Sequence, residues 1–246
     1  MRAASATVDP QEIERFAAHA EAWWDPEGSF RPLHRLNPVR LDYIRQHLTA
    51  HFGRSVSSLR PFDGLTLLDI GCGGGLVAEP MSRLGFAVTA VDADDHAIAV
   101  ARAHAEATGL SIDYRIASAE SMAAAGQRFD AVLALEIIEH VADPAVFLGS
   151  VGALVRQGGA FIGATLNRTP QSFAAAIIGA EYLLGWLPRG THDWRKFMRP
   201  SELVLGLRRN GLNPTEITGV SYDWIRGEWS LSRDLEINYV VTAVRQ

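Results

Sequence analysis

The stretch 65–92 constrains the fold more than any other part of this chain. It reads as an apolar run, then LLDIGCGGG at 67–75, then a second apolar run that stops at Asp92. Continuous Leu and Ile over 65–70 suit a strand buried on both faces, where alternation is not expected. Gly71, Gly73 and Gly75 remove side chains where the chain turns hard and where a ligand approaches the backbone. Residues 76–84 read as a helix and 86–91 as the next strand. The glycines therefore occupy a strand–turn–helix corner.

Asp92 follows the first glycine by about 20 residues, the place from which a carboxylate accepts hydrogen bonds from both hydroxyls of a ribose. The glycine spacing selects among nucleotides. A dinucleotide fingerprint is G-x-G-x-x-G with a pyrophosphate on the helix N-terminus. Here the pattern is G-x-G-G-G, and Asp69 precedes it. A carboxylate at the mouth of the loop suits a ligand with an ammonium group and no phosphate. S-adenosylmethionine (SAM) has those properties.

Strands are expected at 65–70, 87–92, 112–116, 130–135 and 160–166, with helices near 76–84, 95–108 and 144–156. Asp143-Pro144 supplies the last of these with a cap and a first residue. Such alternation predicts an α/β fold with a parallel, doubly wound sheet and ligands at the carboxyl ends of the strands. The expected sheet is seven-stranded and mostly parallel, closed by a helix at 201–209 and strands near 214–220 and 236–244. One domain spans 1–246, with an N-terminal helical cover over 10–53 and an insertion at 167–199 after the fifth strand. In the cover, 10–24 form an amphipathic helix that ends at Trp23-Trp24-Asp25-Pro26. A second helix is expected to open at Pro38 with Asn37 as its cap.

The net charge of −5 and pI near 5.9 argue against nucleic acid as a partner. The single cysteine, Cys72, cannot form an internal disulfide, which fits a reducing cytoplasm, and it reads as a small buried filler. No apolar segment approaches the roughly 20 residues of a membrane span, and the N-terminus lacks a secretory signal.

A second constellation follows the fourth strand: Glu136-Ile137-Ile138-Glu139-His140. Two carboxylates and an imidazole at i, i+3 and i+4 suit Mg²⁺, Mn²⁺ or Zn²⁺. A cation there would lower the pKa of a phenol and point its oxygen at a methyl group. The alternative is an acidic–histidine run that packs and orients the loop without metal. Pro144, as the start of the next helix, leaves 136–140 outside any long helix.

Over nearly its whole length the chain resembles the ubiquinone biosynthesis O-methyltransferases. The segments that carry the likeness are WWDPEGSFRPLHRLNPVRLDYI at 23–44, LLDIGCGGGLVAEPMSRLG at 67–85, LEIIEHVADP at 135–144, TLNRTPQSF at 165–173, GAEYLLGWLPRGTHDWRKF at 179–197 and INY at 237–239. The glycine loop is generic to SAM-dependent methyltransferases, whereas the Trp-Trp-Asp segment, the E-x-x-E-H run and GTHDWRKF are much more specific. The resemblance implies a Rossmann-like, class I methyltransferase fold. The resemblance implies that Arg40, Gly71, Asp92 and Leu135 contact SAM, with Arg40 on the methionine carboxylate. It also implies that Glu136, Glu139 and His140 hold a divalent cation, with Mg²⁺ first among the three. The implied substrate is a polyprenylated phenol or catechol, methylated on oxygen at both such steps of the pathway. No residue stands out as a lone general base.

Two readings of the insertion stand side by side. Residues 173–187 are apolar apart from Glu181 and lie among Arg168, Arg189, Arg195, Lys196 and Arg199. They suit either a peripheral segment on the inner membrane that receives a polyprenyl tail, or a lid on the domain itself. His192 and Asp193 face the substrate ring or form a capping pair. A ubiquinone biosynthesis complex is a further partner implied by the resemblance. The rival functions are a SAM-dependent methyltransferase for another small molecule and a nucleotide-binding oxidoreductase.

Overall fold

The computed structural model describes residues 23–174, 193–223 and 226–246. Residues 10–22 of the expected helix, most of the apolar stretch at 173–187, and His192 lie outside them, while Trp23 and Trp24 at the end of that expected helix form a turn. In chain order the described elements are α1 (Arg31–His51), β1 (Thr66–Ile70), α2 (Ala78–Arg83), β2 (Ala87–Asp92), α3 (Asp95–Ala107), β3 (Asp113–Ile116), α4 (Ala119–Ala124), β4 (Phe129–Leu135), α5 (Pro144–Leu154), β5 (Val155–Leu166), α6 (Pro200–Arg209), β6 (Leu212–Asp223), β7 (Glu228–Ser232) and β8 (Asn238–Arg245).

The strands form one sheet in the order β3-β2-β1-β4-β5-β8-β6-β7. The first five are parallel, and β8, β6 and β7 add antiparallel pairs. Strand β7 makes the sheet eight-stranded, one more than expected. It is a short edge strand of mixed exposure, EWSLS, whose half-polar pattern carries little signal.

The sheet is buried on both faces. Leu67, Val88, Leu133 and Ile162 pack on one side with Tyr43, Ile44 and Leu48 of α1. Leu68, Val91, Val132 and Phe161 pack on the other with Phe147 and Leu148 of α5 and Leu203 of α6. That two-sided burial is the reason β1 and β4 read as continuous apolar runs.

Helix α1 corrects one expectation. It starts at Arg31, and Pro38 lies inside it. Asn37 is no cap: its buried Nδ2 donates to the Leu76 carbonyl at 2.8 Å, tying the helix to the turn beyond the glycine loop. Helix α4 was not expected either, although Ser118 and Ser121 form a capping box ahead of an alanine-rich run.

Candidate active site

Register alone assembles the centre of the site. Ile70 pairs with Val91 on one side and with Ala134 on the other. The next residue along each strand is Gly71, Asp92 and Leu135, so these three positions lie side by side at the carboxyl ends of β1, β2 and β4. Strand β1 has β2 on one flank and β4 on the other, so the sense in which successive strands are added to the sheet reverses there. In doubly wound sheets that switch point opens the ligand crevice.

The loop beyond β1 is held by backbone. The N–H groups of Gly71 and Cys72 donate to the Val91 carbonyl at 2.8 and 3.1 Å. The Gly73 N–H donates to Asp92 Oδ2 at 2.9 Å, and the Asp94 N–H to Asp92 Oδ1 at 3.0 Å. Burial raises the Asp92 carboxyl, and these N–H groups oppose it. Gly71, Gly73 and Gly75 have φ of 72°, 50° and 91°. Their missing side chains also make room for the protein itself: a Cβ on Gly71 would meet Ile137 at 2.8 Å, and one on Gly75 the Tyr114 hydroxyl at 2.3 Å. The Cys72 thiol is buried and pushed well up by that burial, so it is inert filler.

Beneath the loop lie two buried ionic groups of opposite sign. Arg40 is 5 % exposed and Asp69 is 3 % exposed. Among the described residues, Arg40 Nε and Asp69 Oδ2 have no hydrogen-bond partner. Burial pulls the Arg40 guanidinium down, while Glu136 and Asp69 pull it back. Burial pushes Asp69 up to about 7, with Arg40 opposing and Asp92 adding to the rise. One unpaired buried donor beside one unpaired buried acceptor complements the carboxylate and ammonium of an α-amino acid. By that test the site fits SAM.

Glu136 has φ 54°, the left-handed region, and is the one non-glycine residue so placed among the described residues. Its N–H still donates to the Ala164 carbonyl of β5 at 2.9 Å, and the positive φ turns the chain out of β4 there. Such a conformation costs of order 1–3 kcal/mol and is retained where it aims a side chain. The Glu136 carboxylate accepts from Asn238 Nδ2 at 3.3 Å. Glu139 is 3 % exposed and lies against Glu136; its Oε2 accepts from Thr165 Oγ1 at 2.7 Å, while Oε1 has no partner among the described residues. Burial first, and then the Glu136 charge, raise the Glu139 carboxyl well above the carboxylate range.

His140 sits in a 3₁₀ turn, Ile138–His140, with its N–H on the Ile137 carbonyl at 3.0 Å. Among the described residues no group of three His, Cys, Asp or Glu side chains is arranged to hold a metal ion. The structure thus brings Glu136 and Glu139 together but not the expected trio.

Two residues of the site were not singled out by sequence reasoning. Asn238, from the closing INY, steers Glu136 from 102 residues away. Trp23 lies along the glycine loop: a Cβ on Gly73 or on Gly74 would fall 2.4 Å from its side chain. The root of the insertion is stapled to the segment before β8. Asn167 donates through N to Ile237 O and through Nδ2 to Leu235 O, both at 2.8 Å. Asp193 caps the turn Trp194–Lys196 by accepting from the Arg195 N–H at 3.0 Å, the capping role of the two expected for it.

Comparison with known proteins agrees with this geometry. Residues 68–163 match a family model described as a methyltransferase domain. The chain is 52 % identical to the ubiquinone biosynthesis O-methyltransferase of Paramagnetospirillum magneticum over 97 % of this chain and 96 % of that one. It is 54 % identical to the protein of the same name from Parvibaculum lavamentivorans over 99 % and 96 %. Among solved structures, magnesium protoporphyrin IX methyltransferase from Synechocystis PCC 6803 with bound SAH has a TM-score of 0.67 at 17 % identity, covering 96 % of this chain and 95 % of that one. At that identity the likeness concerns the fold.

Proposed function

This chain belongs to the ubiquinone biosynthesis O-methyltransferase family, a branch of the SAM-dependent methyltransferases, and from that membership we propose how its residues divide the work. The reaction is methyl transfer from SAM to a phenolic or catechol hydroxyl of a polyprenylated ubiquinone precursor, and we assign both O-methylation steps to this one site. The observation that carries the residue assignment is the buried Arg40–Asp69 couple: Arg40 Nη2 donates to Asn37 Oδ1 at 3.4 Å, while Arg40 Nε and Asp69 Oδ2 have no partner among the described residues.

Bound SAM supplies an electrophilic methyl on its sulfonium. Asp69 receives the ammonium and Arg40 the carboxylate of its methionine half. Asp92 accepts from the ribose hydroxyls, and Leu135 packs against the adenosine. Gly71 lets the ligand approach the backbone. Glu136, turned out of β4 toward Asn238, faces the acceptor. Catalysis rests on alignment of an ionised phenol with the methyl group.

The cation belongs to this proposal in a reduced form. Glu136 and Glu139 offer hard oxygens, and Mg²⁺ is commonly held by one or two carboxylates with water and substrate completing its shell. These two residues would hold it, and its chemistry there would be to lower the pKa of the acceptor hydroxyl. His140 is left out of that set. Methyl transfer to a short-tailed catechol should fall at least tenfold in excess EDTA and return with Mg²⁺, while SAM affinity stays unchanged. Full activity in EDTA with no metal by elemental analysis would sink the cation and leave the transferase reading intact.

The insertion at 167–199 is proposed to place the site on the inner membrane and to receive the polyprenyl tail. Its apolar run flanked by arginines supports that reading. No helix among the described residues is long and apolar enough to cross a membrane. The protein should co-sediment with anionic liposomes, and deletion of 173–187 should abolish this with SAM binding retained. Equal sedimentation of both proteins would favour a lid.

A further inference from the structure

Two adjacent indoles grip the same glycine loop, and they differ in one respect. Trp24 donates its Nε1–H to the Gly74 carbonyl at 2.9 Å and stacks on His104, with ring centroids 3.5 Å apart and planes 4° apart. His104 is fixed in turn by the buried carboxylate of Glu79, at 2.6 Å from Nδ1. Trp24 is thus a satisfied anchor.

Trp23 also runs along the loop. A Cβ on Gly74 would meet its Cβ and Cγ at 2.4 and 2.5 Å, and one on Gly73 would meet Cη2 and Cζ2 at 2.4 Å. The indole is 9 % exposed and stacks on Phe30 at 3.8 Å with planes 6° apart. Its Nε1–H is buried and has no partner among the described residues. The ring borders Gly73, whose N–H donates to Asp92 Oδ2. A buried donor without an acceptor, beside the backbone that a ligand must approach, calls for an acceptor that arrives with the ligand.

We infer that Trp23 is a cofactor-contact residue: its indole walls the SAM crevice over Gly73–Gly74, and its N–H donates to an oxygen of the bound cofactor. This rests on the reading that the glycine loop holds SAM. It also explains why two consecutive positions there are glycine: the indole leaves no room for a Cβ.

The test is a fluorescence titration of the full chain with S-adenosylhomocysteine (SAH), followed by calorimetry. Parent emission should change on saturation. Trp23→Phe, which keeps the stack on Phe30 but loses the N–H, should lose most of that change and bind SAH about fivefold more weakly, the scale of one hydrogen bond. Trp24→Phe should keep the change. Gly74 lies outside the left-handed region, so the conflict of Gly74→Ala is with Trp23, and it should weaken SAH similarly. Added to Trp23→Ala it should cost nothing more, since both changes act through one contact. If Trp23→Phe fails to fold, the Gly74→Ala series decides alone. Trp23→Phe with full emission change and affinity within twofold, or additive Gly74→Ala and Trp23→Ala effects, would overturn the inference. A parent that binds no SAH would instead defeat the reading of the loop, and the inference with it.

Discussion

Replacing Arg40 with leucine is expected to weaken SAH binding by roughly 100-fold, since a charge-assisted hydrogen bond contributes about 1.5–3 kcal/mol and the fork presents more than one donor. The same change should lower stability by about 3–5 kcal/mol. It removes the buried cation that interacts electrostatically with Glu136 and Asp69, and a buried charge left without its partner is costly. The two effects can be separated. Arg40→Lys restores a charge but neither the planar fork nor its geometry, so it should recover part of the melting temperature and little of the affinity. Calorimetry with SAH and a thermal melt give both numbers. Leucine at position 40 with SAH affinity within twofold of the parent would remove Arg40 from the cofactor site. Lysine with parental affinity would show that a point charge suffices.

Arg40 also illustrates how much was legible beforehand. The unit from β1 through the glycine loop to Asp92 was readable because burial on both faces leaves continuous apolar runs, and because the turn between them requires glycine. Their register then places Gly71, Asp92 and Leu135 together without further information. Arg40 could be placed only by resemblance, because nothing in its helix marks one arginine as buried. Local chemistry misled at Asn37-Pro38, where a good cap sequence lies inside α1: packing of Leu36, Tyr43, Ile44 and Leu48 sets the helix, and the Asn37 amide serves the Leu76 carbonyl instead. Trp23 and Asn238 were visible only as motif letters. Their contacts reach across about 50 and 102 residues, and no periodicity encodes such pairs. Spacing groups Glu136, Glu139 and His140 as an i, i+3, i+4 set; the chain at 138–140 is a 3₁₀ turn, with fewer residues per turn than the α-helix that such spacing assumes.

Asp69 should make cofactor affinity depend on pH around neutrality. In the folded protein its carboxyl is raised from 3.8 to about 7 by burial. The sign follows from proton counting. Between pH 4 and 7 the unfolded chain has released this proton and the folded one retains it, so the folded state binds more protons and stability falls as pH rises. The span of about three units corresponds to roughly 4 kcal/mol, absent below pH 4 and complete above pH 7. A ligand ammonium needs the ionised carboxylate, so binding favours the form that the empty site disfavours. SAH affinity is therefore expected to be flat above pH 7.5 and to fall by up to tenfold per unit below about pH 7. At pH 6 binding should release a proton, visible as a buffer-dependent heat in calorimetry. Asp69→Asn should bind weakly with no pH dependence in this range. Affinity that stays level from pH 5.5 to 8.5 without proton release would place the ammonium elsewhere and leave Asp69 as a buried structural acid.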